Sequence, residues 1–234
     1  MAAPAQYGSI SPVRAIAMLF HADRGPVLAT PVRSATVRRS PGRPRDLARE
    51  NEILKVTLGI LSEVGFAGLT VDAVVAKAKV SKATIYRRWA TKEELAVAAF
   101  DQLPLIEIES HGNLEEDILA YVEQYRDFVQ TTPLNSVLPA LVSEATHNEV
   151  LAERLKETVA RRRETGIAMI RQAIARGELP ANTDPALAQE LIIGPMLHRS
   201  FFSPENITKD DFRYFARIII AGFKATAEQP STPA

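Results

Sequence analysis

The chain has 234 residues, no cysteine, and equal numbers of basic and acidic side chains, 28 of each. That length supports a buried core in one or two domains, and the lack of thiols excludes a disulfide framework, a cysteine zinc site and a cysteine nucleophile. No uncharged apolar run approaches the roughly 18 residues of a membrane span, and no internal repeat is visible. The even balance hides an asymmetry: residues 38–92 are net +7, residues 93–234 net −9 and residues 1–37 net +2. A basic block beside an acidic remainder suits a chain that holds one part on a polyanion and the rest away from it.

Residues 1–37 read as a disordered leader, because Pro4, Pro12, Pro26 and Pro31 interrupt any long helix. Ser11 to Ala22 mixes arginine with apolar residues but has no continuous apolar core or small-residue cleavage site, which argues against a secretory signal. Residues 37–45 are different: they carry four arginines and no acid directly before the first predicted helix. Arginines such as Arg43 and Arg45 suit a narrow minor groove; a solvated basic tail is the plain alternative.

Residues 65–95 are the most informative stretch. Thr70 is placed to cap a helix from Val71 to about Ala78, with Val71, Val74, Val75 and Ala78 on one apolar face. After a tight turn, Ser81 caps a second short helix in which Ile85 and Trp89 point inward. Lys82, Ala83, Thr84, Tyr86, Arg87 and Arg88 are left facing outward. Two short helices of this kind form a helix-turn-helix pattern. Lys82 suits guanine O6 and N7, the Thr84 methyl suits a thymine methyl, and Ala83 permits close approach. Thr70, Tyr86, Arg87 and Lys92 suit backbone phosphates. A cationic hairpin with a solvated basic face is the bland alternative.

Residues 43–97 resemble the TetR/AcrR family of transcriptional regulators. The resemblance rests on Gly42 to Arg45, on Ile53, Val56, Ile60 and Val64 of the first helix, then on Gly65 and Phe66, and on Leu69 to Asp72. It continues through Val80 to Trp89 and Thr91 to Leu95. It implies a homodimer that binds a palindromic operator, with a helical C-terminal domain that takes a small effector. One position departs from the pattern: Lys79 stands in the turn where the family usually has glycine. A left-handed turn residue with a Cβ should cost roughly 1 kcal/mol.

Beyond Lys92 the chain reads as a run of helices. Leu95, Ala99, Leu103 and Ile106 mark a helix that Pro104 should kink or end. Leu114 to about Gln130 is amphipathic, Leu134 to Ala145 is shorter and apolar, and Asn148 to Arg176 is long and closed by Gly177. Asp184-Pro185 opens a helix ending near Phe201 or Phe202, and Lys209 to about Ala227 forms the last. These two are apolar enough to leave an exposed strip, and a two-fold interface places one strip on both partners. In the resembling family these helices build a four-helix dimer bundle. Leu191, Ile192, Met196, Phe215, Ile219 and Phe223 are the expected interface. The resemblance also puts the effector pocket among residues 95–175, with Leu103, Tyr121, Gln124, Tyr125, Phe128, Leu138, Leu141, Glu144, His147 and Met169 as expected lining. Most of these read equally well as core.

The four histidines are scattered, no phosphate-binding glycine loop is present, and no arrangement of Ser, Asp and Glu stands out, so no catalysis, metal site or cofactor is expected. The expectation is an all-α chain in three parts: a leader at 1–37, a three-helix helix-turn-helix domain with its basic arm at 38–92, and a helical effector-binding and dimerisation domain at 93–228. It acts in the cytoplasm as a homodimeric, sequence-specific DNA-binding regulator, a repressor released by a small molecule, with no membrane partner. The alternative is a sequence-indifferent structural DNA-binding protein. That reading needs basic charge spread over the chain, which the acidic residues 93–234 do not supply.

Overall fold

A computed structural model describes residues 44–202 and 208–227. Among them are nine helices and no strand. The helices are α1 Pro44–Gly68, α2 Val71–Ala78, α3 Lys82–Tyr86, α4 Lys92–Asp101, α5 Leu114–Thr131, α6 Leu134–Ala145, α7 Glu149–Ala175, α8 Pro185–Phe202 and α9 Lys209–Ala227. The leader, Arg43 and the residues after Ala227 lie outside the described residues. Arg45 belongs to α1, so the first helix begins inside the stretch expected to be an arm.

Two compact units result. Among the described residues, one takes 44–103 together with Ser136–Val159; the other takes Pro104–Asn135 and the described chain from Ala160 to Ala227. This packing division differs from the split at residues 92 and 93 drawn from sequence. The reason is local: Leu95, Ala96, Ala99 and Phe100 of α4 are buried, and α4 packs on α1. The stretch 136–159 also reaches α4. Asn148 donates to Glu93 at 3.0 Å, and Arg154 pairs with Glu94 at 2.5 Å.

In the first unit α1 supplies Ile53, Leu54, Ile60 and Leu61 to the core, while Val64 is exposed. Gly65 breaks the helical path with φ 68°, which returns the chain to place Phe66 and Leu69 inside. In the second unit α5 packs against α8 and α9. Leu114, Ile118, Leu119, Tyr121 and Val122 meet a core that includes Ala188, Ile192, Met196, Phe212 and Ala216. The buried carboxylate of Asp117 ties the start of α5 to the end of α7. It accepts from the His111 N–H at 2.6 Å, from Ser110 Oγ at 3.1 Å and from Arg176 at 3.0 Å. α4 stops at Asp101, short of Pro104, and Gly177 closes α7 with φ 78°.

Candidate nucleic-acid interface

The interface candidate is α2, its turn and α3. Thr70 Oγ1 accepts from the Ala73 N–H at 3.1 Å and Ser81 Oγ from the Thr84 N–H at 3.2 Å, so each helix starts on a hydroxyl cap. Between them Lys79 adopts φ 52° and ψ 48°, the left-handed conformation the sequence demanded, and its N–H returns to the Val75 carbonyl. Val74 and Ile85 are buried, and Trp89 follows them, which fixes α3 with one face inward. α3 is only five residues long, so its position depends on these anchors rather than on its own helical stability.

The outward face carries Lys82, Ala83, Tyr86 and Arg87, all exposed. Thr84 is half-buried and its hydroxyl bonds Ser81 Oγ at 2.9 Å, which leaves its methyl as the group to offer a base. Two basic groups are turned inward. Arg88, expected outside, pairs with Glu50 of α1 at 3.4 Å with little of its side chain exposed. Lys92 lies over the Phe66 ring at 4.1 Å and donates to the Phe66 carbonyl at 3.3 Å. Its ammonium braces α4 against the end of α1, which sets it apart from a free phosphate ligand. Lys82 holds an ion pair with Asp72 of α2 at 2.6 Å. Nothing in the spacing of residues 72 and 82 signals that pair.

Residues 53–99 match the model for bacterial regulatory proteins of the tetR family, and residues 108–219 match the tetracyclin repressor-like C-terminal domain. The chain belongs to the TetR family. An HTH-type transcriptional regulator of Bacillus subtilis (strain 168) is 30% identical over 81% of this chain and 97% of its own length. The DNA-binding transcriptional repressor TetR of Mycobacteroides abscessus is 30% identical over 66% of this chain and 83% of its own. The crystal structure of the TetR family regulator SCO0332 shares the fold, with a TM-score of 0.58 at 23% identity over 74% of this chain and 97% of that one. This TetR-family chain is therefore a DNA-binding transcriptional regulator, with helices and no strand among its described residues.

The remaining expected site residues are placed less simply. Leu103, Leu141, Glu144 and His147 fall in the first unit, and Tyr121, Gln124, Tyr125 and Phe128 in the second. Leu103, Leu141, Tyr121 and Tyr125 are buried, Glu144 and Phe128 half-buried. Gln124 and His147 are exposed, at odds with a place in an enclosed apolar site. Gln124 instead accepts from the Glu107 N–H at 3.2 Å, and His147 lies in the turn after α6. Burial raises the phenol pKa of both Tyr121 and Tyr125, so both act as neutral groups; Tyr121 Oη accepts from Gln189 at 3.4 Å. A cleft of about 360 Å³ within the second unit has Ile108, Ser110, Asp117, Ala168 and Met169 in its walls; of the expected lining residues Met169 alone is among them.

The expected dimer strip is divided between the protomer's core and its surface. Ile192 and Met196 are 2% and 4% exposed, so they serve the protomer's own core. Phe215, Ile219 and Phe223 are half-buried. The exposed apolar face of α8 holds Leu187, Leu191 and Phe202, and that of α9 holds Tyr214 and Ile218. No helix among the described residues is long and apolar enough to cross a membrane.

Proposed function

We propose that the protein is a homodimeric repressor that binds a palindromic operator through α3 and is released by a small-molecule effector. The observation that carries the DNA-reading part is the exposed row Lys82, Ala83, Tyr86 and Arg87 on a helix locked from behind by Ile85. Lys82, Ala83 and Thr84 meet base edges; Thr70, Tyr86 and Arg87 meet phosphates, with Arg43 and Arg45 ahead of them. Repression is supported by the mycobacterial relative whose name states it. Dimerisation is supported by the exposed apolar residues of α8 and α9, since a two-fold axis pairs such a face with itself and makes the operator palindromic. Effector release rests on the match of residues 108–219 to a tetracyclin repressor-like domain. The site of action is the cytoplasm, where its DNA lies.

Selection of duplexes from a random library, followed by salt titration, tests the reading. Lys82→Ala and Thr84→Ala are expected to relax base preference, each costing about 1–3 kcal/mol on the best site. Arg87→Ala weakens all sequences alike and flattens the salt dependence. Unaltered preference in both Lys82→Ala and Thr84→Ala refutes the recognition-helix reading. A steep salt slope without any specificity ratio in the parent favours the sequence-indifferent alternative.

A further inference from the structure

Asp72 is the second residue of α2 and Lys82 the first of α3. Their side chains meet across the turn, Lys82 Nζ to Asp72 Oδ1 at 2.6 Å, and both remain mostly open to solvent. The carboxylate accepts a hydrogen bond from the ammonium and, with its charge, raises the lysine pKa. An acid at this place works against plain phosphate binding, because it neutralises a cation that would otherwise reach the DNA backbone. Its effect on base reading is different. An ammonium has three N–H donors, and one given to Asp72 leaves two for guanine O6 and N7. A carboxylate also accepts from cytosine N4, which lies beside guanine O6 on the major-groove edge of the same base pair. The ion pair therefore presents a donor and an acceptor side by side.

We propose that Asp72 is a specificity-determining residue of the DNA interface, which acts by holding the Lys82 ammonium for guanine acceptors in preference to phosphate. The proposal rests on the reading of α3 as the recognition helix. Asp72 also stands in the first turn of α2, where an acid favours the helix terminus. That role alone predicts an effect on stability and none on sequence preference. Repulsion between Asp72 and the backbone acts on every sequence alike and cancels in the ratio of specific to non-specific affinity.

The test uses the full chain as parent, Asp72→Asn, Lys82→Met and the double variant. Each is titrated with the duplex selected by the parent and with a scrambled duplex, over several salt concentrations. Asp72→Asn is expected to lower the specificity ratio about two- to fivefold, the scale of an exposed ion pair. It should also steepen the salt slope on scrambled DNA by about 0.9, as the freed ammonium takes a phosphate. In the Lys82→Met background the same substitution should leave the ratio unchanged. A ratio unchanged by Asp72→Asn, or lowered equally in both backgrounds, overturns the proposal while the recognition helix stands. Base preference unchanged in Lys82→Met removes the base contact of Lys82, and this proposal with it; unchanged in Thr84→Ala as well, it removes the recognition-helix reading itself.

Discussion

Replacing Lys79 by glycine should make the protein more stable, although it removes a whole side chain. Lys79 is the one non-glycine residue with positive φ among the described residues, and it caps α2 in the left-handed region. That conformation costs an L-residue roughly 1–2 kcal/mol, because Cβ crowds the following carbonyl. Glycine removes the crowding but widens the unfolded ensemble, an opposing term of about 0.4–1 kcal/mol. The Lys79 side chain is exposed, and the backbone bonds from Lys79 and Val80 to the Val75 carbonyl survive the change. The net expectation is a gain of about 1 kcal/mol, or roughly 2–4 °C in Tm for a chain of this size. Lys79→Ala is the control: it loses the same ammonium but keeps the Cβ, so it should stay within about 0.5 kcal/mol of the parent. Urea unfolding of all three at one protomer concentration separates backbone strain from charge, since a dimer's stability depends on concentration. A glycine variant no more stable than the alanine variant refutes the strain argument. If the ammonium also meets a phosphate, both variants lower the salt slope of DNA binding by the same amount, about 0.9.

Gly59 and Gly166 lie inside α1 and α7, yet their replacement by alanine should have opposite signs. A Cβ on Gly59 meets nothing within 4 Å and should stabilise by about 0.5–1 kcal/mol, whereas on Gly166 it would meet Gln189 Cγ at 2.7 Å and Tyr121 Oη at 2.9 Å and should destabilise by about 1–3 kcal/mol. Thermal melts decide both, and equal shifts would discount the close packing of Gly166. Leu191→Glu or Ile218→Glu should give a folded monomer in sedimentation, because each side chain is about half exposed in the protomer. Ile192→Ala should instead cost about 2–5 kcal/mol of stability through a cavity. A folded dimer with both charges in place would move the interface elsewhere. Asp117→Ala should destabilise by about 1–3 kcal/mol, since it strips the His111 N–H and Ser110 Oγ of their buried acceptor while Arg176 keeps Glu178; calorimetry showing less than about 0.5 kcal/mol would remove the latch at the start of α5.

The elements that were readable from sequence are those whose signals are local. Caps at Thr70, Ser81 and Asp184, the stop at Gly177, and the alternation of Ile85 with outward neighbours all act within one helical turn, and these helices begin and end at or beside those signals. Pairings across the fold carry no such signal. Arg88 with Glu50 and Arg154 with Glu94 join residues far apart in the chain, and any exposed acid would have satisfied the same arginines. The division of the expected dimer strip between core and surface was hidden for a related reason. Leu191 and Ile192 are adjacent and both apolar, so pattern alone cannot say which faces the protomer's core, since a helix apolar on several sides has no preferred direction. One residue along a helix is a turn of about 100°, enough to exchange an exposed Leu191 for a buried Ile192. The same logic bears on DNA reading. Helical period places Lys82 outward, but only the position of Asp72 on a different helix decides whether its ammonium meets the groove free or already bound. Base preference in this interface is thus set partly by a residue outside the recognition helix, and a substitution at position 72 should alter it with every residue of α3 unchanged.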